Sequence, residues 1–400
     1  MDIFVARQPI FDLKQEVFAY ELLFRSGPQN FFSHNDQDDA VRRVVDNAFH
    51  VFGLDSLSAN KKLFINCTKQ VLNEDVIGLL PPQLAVVEVL ETVEVDDEVL
   101  ERLRMYKARG HTLALDDFVF RPGMEPLVEM ADIIKVDFLL TRGDERLEVI
   151  KRFGRKGLKF LAEKVETIEE FEHGKACGYE YFQGYFFAKP QMITAKDVPS
   201  SKLTRLRLMR ALLDRNVNLD EVEQILKSDV SLSVKLLRYL NSPAFAWREK
   251  IASMKHALVL LGDRPFRQWA SLVVTTTLGD DKPAELVLTC LVRARFCEQL
   301  GVLSGMKPQA FDLFLVGLIS CLDALLGRPM PEIIDMLGVS EPVRAALLEG
   351  SGQLAPVYQA AVAYSQGDWN QPALIDAAKR IPTLADEYKK AITWAESLIK

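Results

Sequence analysis

The stretch 85–118 reads AVVEVLETVEVDDEVLERLRMYKARGHTLALDDF and contains one complete strand–helix–strand unit. Its first residues form the apolar run of a buried strand, and HTLALDDF at its end returns to a strand pattern. Between these runs, acidic residues precede and basic residues follow the apolar positions of a helix that is capped by Gly110. A strand, a helix and a second strand in this order predict two parallel strands of one sheet.

The same unit recurs twice further along the chain. DIIKVDF, DERLEVIKRFGRKG and LKFLAE form the second unit between residues 132 and 163. In the third unit, Thr167 and Glu170 have the spacing of a capping box before a helix, and YEYFQGYFF is the strand that follows. Together with the earlier runs VFAYELLF and LFIN, these strands are enough for a TIM-like (β/α) barrel, which we expect in residues 1–197.

Residues 198–400 have a different pattern, in which apolar residues recur at helical spacing. Runs such as LTRLRLMRALLDR, ELVLTCLVRARFCEQL and QAFDLFLVGLISCLDALL are separated by breakers, among them Gly262 and the Arg328–Pro329 pair. A chain of 400 residues also exceeds one ordinary core. The sequence therefore predicts an α/β domain followed by an all-α domain.

Composition excludes several classes of protein. The net charge of -7 argues against direct binding of nucleic acid or an anionic membrane surface. The five cysteines are scattered and none forms a CxxC pair, which argues against a disulfide framework and fits a reducing cytoplasm. We find no basic start followed by a long apolar stretch and no apolar run of about 18 residues, so we expect a cytoplasmic chain without a signal peptide or a membrane span.

Polar side chains stand where the predicted strands end. In a (β/α) barrel the carboxyl ends of the strands surround the site, so these side chains should converge on one mouth. They are Glu21, Asn66, Glu88, Asp116, Asp117, Lys135, Glu163 and Gln183. One acidic residue at a strand end is more often a helix cap or a solvated loop residue, but so many on separate strands indicate a shared polar site.

Carboxylates that converge repel one another, and their pKa values rise unless positive charge lies among them. Carboxylate and amide oxygens suit Mg²⁺ or Mn²⁺, so the pattern predicts a divalent metal. The adjacent pair Asp116 and Asp117 can serve two ions in phosphodiester cleavage, although an N-cap pair is the simpler alternative. Lys135 can hold the attacking water, neutralise phosphate charge, or simply pair with Asp137.

From Gln8 to Pro190 the chain resembles the EAL domain, the cyclic-di-GMP phosphodiesterase type of barrel. QPIFDLKQEVFAYELLFR resembles its opening motif, and LFIN, VEVLE, ALDDF, IIKVD, AEKVET and FQGYFFAKP match later motifs in order. The metal ligands that the resemblance implies are Glu21, Asn66, Glu88, Asp116, Asp117 and Glu163. The catalytic residues that it implies are Lys135, Glu163, Glu91 and Gln183, with Gln8 and Arg25 at the substrate. The implied reaction opens cyclic di-GMP to linear pGpG.

The chain departs from the EAL pattern at Leu22, where the family has alanine, and in two later places. The family continues DDFGTGYSSL where this chain has DDFVFRPGMEPL, and glycine permits backbone shapes that Val119 and Phe120 adopt only at a cost. Lys164 stands in AEKVET where the family has glycine. A site misplaced by about 1 Å can lose on the order of 100-fold in rate. YELLFR and AEKVE also resemble a subgroup of EAL domains, fused to HDOD domains, that is often regarded as weakly active or inactive.

Residues 203–325 resemble the HDOD domain. The residues that carry the match are Asp229, Leu236, Leu237, Asn241 and Ser242. HDOD domains are related to HD phosphohydrolases, which need clustered histidine and aspartate ligands. Here His256 is the one histidine of the second half, and Ser320–Cys321 stands about where a His–Asp pair would lie, so no metal site is expected there.

Two functions fit these observations. The first is a metal-dependent cyclic-di-GMP phosphodiesterase with a regulatory helical domain. The second is a non-catalytic signalling protein whose barrel binds cyclic di-GMP or a protein. An unrelated metal-dependent phosphohydrolase is a third alternative, because a fold does not determine a substrate. We expect signalling proteins to bind through the helical domain, with a homodimer as an open alternative.

Overall fold

The computed structural model describes residues 4–25, 58–184, 200–214, 218–228 and 261–399. The chain forms two compact units. The first consists of residues 1–189 and 362–389, and the second of residues 190–361 and 390–400. None of the helices in the described ranges is both long enough and apolar enough to cross a membrane.

Eight strands close into a barrel in chain order. They are β1 (Phe4–Phe11), β2 (Val17–Arg25), β3 (Lys62–Cys67), β4 (Ala85–Val89), β5 (Thr112–Leu115), β6 (Ile133–Asp137), β7 (Lys159–Glu163) and β8 (Tyr181–Gln183). Strands β2 to β8 run parallel, as predicted, but β1 is antiparallel to both β2 and β8. The turn between Phe11 and Val17 explains this difference, because a parallel pair needs a crossover of a dozen residues or so.

The helices of the barrel follow the predicted units. They are α1 (Lys69–Asn73), α2 (Asp97–Ala108), α3 (Glu125–Met130), α4 (Glu145–Phe153) and α5 (Ile168–Cys177). Helix α2 begins where Asp96 accepts a hydrogen bond from the backbone N–H of Val99 at 2.9 Å. Helix α5 begins where Thr167 accepts one from the N–H of Glu170 at 3.2 Å, which confirms the predicted cap. These two caps fix the residues at which α2 and α5 begin.

One apolar side chain from each strand fills the interior of the barrel. This apolar layer consists of Ile10, Ala19, Phe64, Val86, Ala114, Ile133, Leu161 and Tyr181. A separate and larger core lies between the strands and the helices, because successive side chains of a strand point to opposite faces. On each strand, the residue two positions away from the member of the apolar layer therefore also points into the barrel.

The chain after the barrel is helical, which confirms the predicted fold class. The described helices of this part are α6 (Ser200–Leu213), α7 (Leu219–Ser228), α8 (Asp263–Leu278), α9 (Ala284–Leu303), α10 (Ala310–Ile319), α11 (Leu322–Leu326), α12 (Met330–Leu337), α13 (Glu341–Arg344), α14 (Ala355–Gln366), α15 (Pro372–Arg380) and α16 (Leu384–Ile399). In the second unit, α9 and α10 approach closely at Gly317, where a side chain would overlap the backbone of Arg293 and Ala294. The HDOD motif residues Asp229, Leu236, Leu237, Asn241, Ser242 and His256 lie outside the described residues.

Gly184 directly follows β8, at a position that leaves no space for a side chain. Its φ is +142°, and a Cβ there would overlap the backbone of Val165. Gly184→Ala should therefore lower the free energy of unfolding by about 3 kcal/mol, from overlap and backbone strain together. Gly157→Ala is the matched control, because its φ is also positive but its Cβ would have open space. That control should cost only about 1 kcal/mol. Urea denaturation measures both values, and equal losses would contradict the role of the overlap.

Candidate metal centre

A ring of polar side chains lies directly beyond the apolar layer. Each member is two residues further along its strand, except on antiparallel β1, where it is two residues earlier. This polar layer consists of Gln8, Glu21, Asn66, Glu88, Asp116, Lys135, Glu163 and Gln183. The strand register places Gln8 beside Glu21 and Asn66 beside Glu88. The alternation of strands thus brings together seven of the eight side chains that the sequence predicted to converge, all except Asp117.

The Lys135 ammonium lies at the centre of the polar layer. Its Nζ is 2.7 Å from a Glu163 oxygen, 2.8 Å from an Asp116 oxygen and 3.4 Å from a Glu21 oxygen. It also contacts the Glu88 carboxylate. Both Lys135 and Glu88 are fully buried. Four carboxylates therefore share one positive charge in a place that water hardly reaches.

The pKa values of these groups reflect that imbalance. Burial raises the pKa of Glu88 well above its usual value and raises that of Glu163 to about 8, in both cases against the attraction of Lys135. The pKa of Asp116 is lowered, because the charge and hydrogen bond of Lys135 outweigh its burial. The surrounding carboxylates likewise overcome burial and raise the pKa of Lys135. The metal-free layer is therefore short of positive charge and retains a proton.

Glu21 is held in place by amide side chains. The Asn66 amide donates to Glu21 Oε1 at 3.2 Å, and the Gln183 amide donates to Oε2 at 2.7 Å. The same Gln183 nitrogen donates to Gln8 at 3.0 Å, and Gln8 donates in turn to the carbonyl of Gln366 at 2.7 Å. Both oxygens of Glu21 thus have fixed directions, and this leaves the amide oxygens available.

Five buried side-chain oxygens at this mouth have no hydrogen-bond partner. They are Asn66 Oδ1, Glu88 Oε2, Asp117 Oδ1, Glu163 Oε2 and Gln183 Oε1. Buried acceptors normally receive a hydrogen bond from a donor, and none of these oxygens receives one. Carboxylate and amide oxygens are the ligands that Mg²⁺ and Mn²⁺ prefer. The residues present therefore fit a divalent cation.

Asp117 lies one residue out of phase with the polar layer. Its φ of +38° is left-handed. Oxygens of Asp116, Asp117 and Glu163 lie within 4.8 Å of one another, and this is the one acidic cluster of metal-binding size among the described residues. Burial, followed by the charge of Asp116, raises the pKa of Asp117. Asp117 thus lies on the outer side of the polar layer, beside Asp116 and Glu163.

Two predicted residues lie apart from this cluster. Glu91 is exposed in the turn that follows β4, three residues beyond Glu88 and therefore out of phase with the layer. Arg25 is the last residue of β2, and its side chain lies outside the described part of the chain. Their predicted catalytic and substrate-binding roles stay predictions.

Aromatic contacts hold the loop after Asp117, where the sequence departs from the EAL pattern. The backbone N–H of Phe118 donates to the Lys135 carbonyl at 3.0 Å, and the buried Phe118 ring packs edge-on against Phe153 at 5.2 Å. Phe120 packs against the same ring at 5.2 Å. The backbone directly after the aspartate pair is therefore tied to β6 and α4.

Sequence reasoning assigned no place at the mouth to two side chains, Asp137 and Lys164. Asp137 is two residues beyond Lys135 on β6, so strand alternation alone could have pointed to it. It is buried, and its Oδ2 pairs with Lys164 at 2.5 Å. Lys164 was noticed only as a replacement for glycine, and nothing in a linear pattern reveals which carboxylates its side chain reaches.

In the second unit, Arg293 contacts the Ser320–Cys321 pair, where the sequence predicts no metal site. Arg293 Nη1 donates to Ser320 Oγ at 3.0 Å and to Cys321 Sγ at 3.2 Å. A hydrogen bond from Cys290, aided by the charge of Arg293, lowers the pKa of Cys321 to about 6 despite burial. The Arg293 guanidinium thus lies directly against the Cys321 sulfur.

The fold and the site define a (β/α) barrel protein with a carboxylate-rich centre at the carboxyl ends of its strands. Residues 2–190 match the model of the EAL domain, and residues 198–332 match the model of the HDOD domain. The chain therefore belongs to the family of proteins in which an EAL domain is followed by an HDOD domain.

Two relatives align with nearly the whole chain. The uncharacterized protein YuxH of Bacillus subtilis is 32% identical over 407 residues, which cover 100% of this chain and 99% of YuxH. The cyclic di-GMP phosphodiesterase CdgJ of Vibrio cholerae is 32% identical over 400 residues, which cover 99% of this chain and 93% of CdgJ. A structure of Klebsiella pneumoniae BlrP1 with manganese and cyclic di-GMP is 27% identical over 47% of this chain and 55% of that one, with a TM-score of 0.39.

The raised pKa of Glu163 predicts how the stability of the metal-free protein depends on pH. The folded state holds a proton with a pKa of about 8, whereas the ordinary value is 4.5. Protonation therefore favours the folded state, and this contribution is lost as the pH rises from about 4.5 to 8, by up to about 1 kcal/mol per unit. Urea midpoints measured in EDTA should fall over this range, and Glu163→Gln should flatten the fall.

Glu180→Gln is the matched control for this measurement, because Glu180 pairs with Lys159 away from the mouth. It should keep the pH dependence of the wild-type protein. A Glu163→Gln variant that keeps the wild-type slope would show that another group holds the proton.

Proposed function

We propose that the barrel is a metal-dependent phosphodiesterase that opens cyclic di-GMP to linear pGpG. The observation that carries this proposal is the set of buried oxygens without donors around the single ammonium of Lys135. Such a centre suits the neutralisation of phosphate charge. The name of CdgJ, a relative over nearly the whole chain, supports cyclic di-GMP as the substrate.

The proposed cofactor is Mg²⁺ or Mn²⁺, bound as two ions. The proposed ligands are Glu21, Asn66, Glu88, Asp116, Asp117 and Glu163. When bound, such ions lower the pKa of a coordinated water and stabilise the leaving oxygen of a phosphodiester. The amide hydrogen bonds to Glu21 support its role, because a ligand whose neighbours fix its direction needs less ordering on binding.

The remaining side chains of the mouth have proposed roles of their own. Lys135 would keep the attacking water in place and offset charge on the phosphate, and Glu163 would take part in the proton transfers. Gln183 would hold the site by its two donated hydrogen bonds. Gln8 and Arg25 would contact the dinucleotide, and Glu91 would complete the catalytic set.

A second candidate function is binding of cyclic di-GMP without turnover. Two observations favour it: the sequence after Asp117 differs from the EAL pattern, and the Lys164 ammonium already lies 3.6 Å from Asp117. In this alternative the barrel acts as a receptor for the nucleotide.

For both candidate functions, we propose a barrel domain in residues 1–197 and an HDOD domain in residues 198–400. We propose that the HDOD domain binds signalling proteins, with a homodimer as the other arrangement.

A hydrolysis assay separates the two functions. The full-length protein with Mg²⁺ or Mn²⁺ should convert cyclic di-GMP to pGpG, detected by liquid chromatography. Glu21→Ala should lower the rate by about 100-fold or more, because a carboxylate of the centre is lost. Glu16→Ala is the control, since Glu16 is exposed in the turn before β2. Nucleotide binding without any pGpG from the wild-type protein would favour the receptor instead.

The ligand set can be tested without substrate. Asp116→Asn should weaken Mn²⁺ binding by about tenfold or more in a calorimetric titration, because the amide removes one negative charge from the ring. Asp144→Asn, at the exposed start of α4, should bind like the wild-type protein. An unchanged titration for Asp116→Asn would remove this residue from the ligand set.

A further inference from the structure

Lys164 and Asp117 occupy corresponding positions just beyond the ends of two strands of the barrel. Each directly follows an inward-pointing carboxylate, Glu163 on β7 and Asp116 after β5. Each has a left-handed backbone, with φ of +54° for Lys164 and +38° for Asp117. This conformation suits glycine better than either residue. The two strained residues meet at the mouth, where Lys164 Nζ lies 3.6 Å from Asp117 Oδ1.

A second carboxylate anchors the Lys164 ammonium. Its Nζ pairs with Asp137 Oδ2 at 2.5 Å, and Asp137 is itself buried. The other oxygen of Asp137 accepts the backbone N–H groups of Leu139 at 2.6 Å and Leu140 at 3.1 Å. Asp137 is thus fully engaged, and it holds the ammonium beside Asp117 although about half of the lysine side chain is exposed.

The ammonium lies beside one of the oxygens that a metal would need. Asp117 Oδ1 has no hydrogen-bond partner, and Asp117 belongs to the carboxylate cluster with Asp116 and Glu163. A fixed positive charge 3.6 Å from that oxygen repels a dication there and competes with it for the carboxylate. The ion pairs of Lys164 go to Asp117 and Asp137, on the outer side of the ring, whereas Lys135 serves the inner carboxylates.

We propose that the Lys164 ammonium takes the place of the second divalent ion at Asp117. The inner carboxylates then bind one divalent ion tightly, and a second ion binds much more weakly because it must displace the ammonium from Asp117. This inference rests on the proposed metal centre but not on hydrolysis. Lys164 would thus determine how many divalent ions the centre holds at a given concentration of metal.

A Mn²⁺ titration of the full-length protein without nucleotide tests the proposal. Electron paramagnetic resonance of free Mn²⁺ gives the number of bound ions and their affinities. The wild-type protein should show one tight and one weak ion. Lys164→Gln should tighten the weak ion by at least about tenfold, because the competing charge is gone. Lys164→Gly should do the same and also relieves the left-handed backbone.

Two further variants separate charge from shape. Lys164→Arg keeps the positive charge and should keep the weak second ion. Lys159→Gln is the matched control, because Lys159 is a half-exposed lysine at the opposite end of β7 that pairs with Glu180 at 2.8 Å. It should titrate like the wild-type protein.

Each result bears on the proposal separately from hydrolysis. Equal affinities for the second ion in wild type and Lys164→Gln would overturn it, as would an Arg variant that behaves like the Gln variant. A tighter second ion in the Gln and Gly variants supports it even if no variant makes pGpG. Absence of bound Mn²⁺ in all variants would overturn it together with the metal centre.

Discussion

The mutual repulsion of buried carboxylates is the constraint on which the mouth of this barrel depends. Glu21, Glu88, Asp116 and Glu163 share the single ammonium of Lys135, and the apolar layer beneath them keeps water away. In such surroundings a missing positive charge costs more than it would at the surface. The raised pKa of Glu163 and the unpaired oxygens are two consequences of the same shortage. A dication would supply the positive charge that the chain lacks.

The barrel meets this constraint through simple strand geometry. Side chains alternate between the two faces of a strand, so an apolar residue and the polar residue two positions beyond it stand one above the other inside the barrel. Every strand repeats this pair, from Ile10 and Gln8 on β1 to Tyr181 and Gln183 on β8. The site is therefore built on strands and strand ends rather than on long loops, and its backbone is held by the hydrogen bonds that close the sheet.

Two residues at the mouth of the barrel depart from this alternation. Asp117 and Lys164 are one residue out of phase, and each reaches the mouth through a left-handed backbone. Phe118 and Phe120, packed on Phe153, fix the loop after Asp117, in which the sequence departs from the EAL pattern. A centre with an inner ammonium and an outer one can serve an enzyme that needs abundant metal or a receptor that binds its nucleotide without turnover. If Lys164 acts as proposed, the two candidate functions differ in how strongly a divalent ion binds at Asp117.

The sequence alone determined the barrel class, the helical second half and seven of the eight members of the polar layer, all except Gln8, because strand alternation, helix caps and acidic strand ends are local patterns. It also showed the replacement of glycine by Lys164 without revealing its effect. Tertiary structure decided the antiparallel direction of β1, the position of Lys135 among four carboxylates, the exposed position of Glu91 and the contact of Lys164 with Asp117 and Asp137. The positions of the Lys135 and Lys164 ammonium groups depend on distances between residues far apart in the chain, which exist only once the barrel has closed.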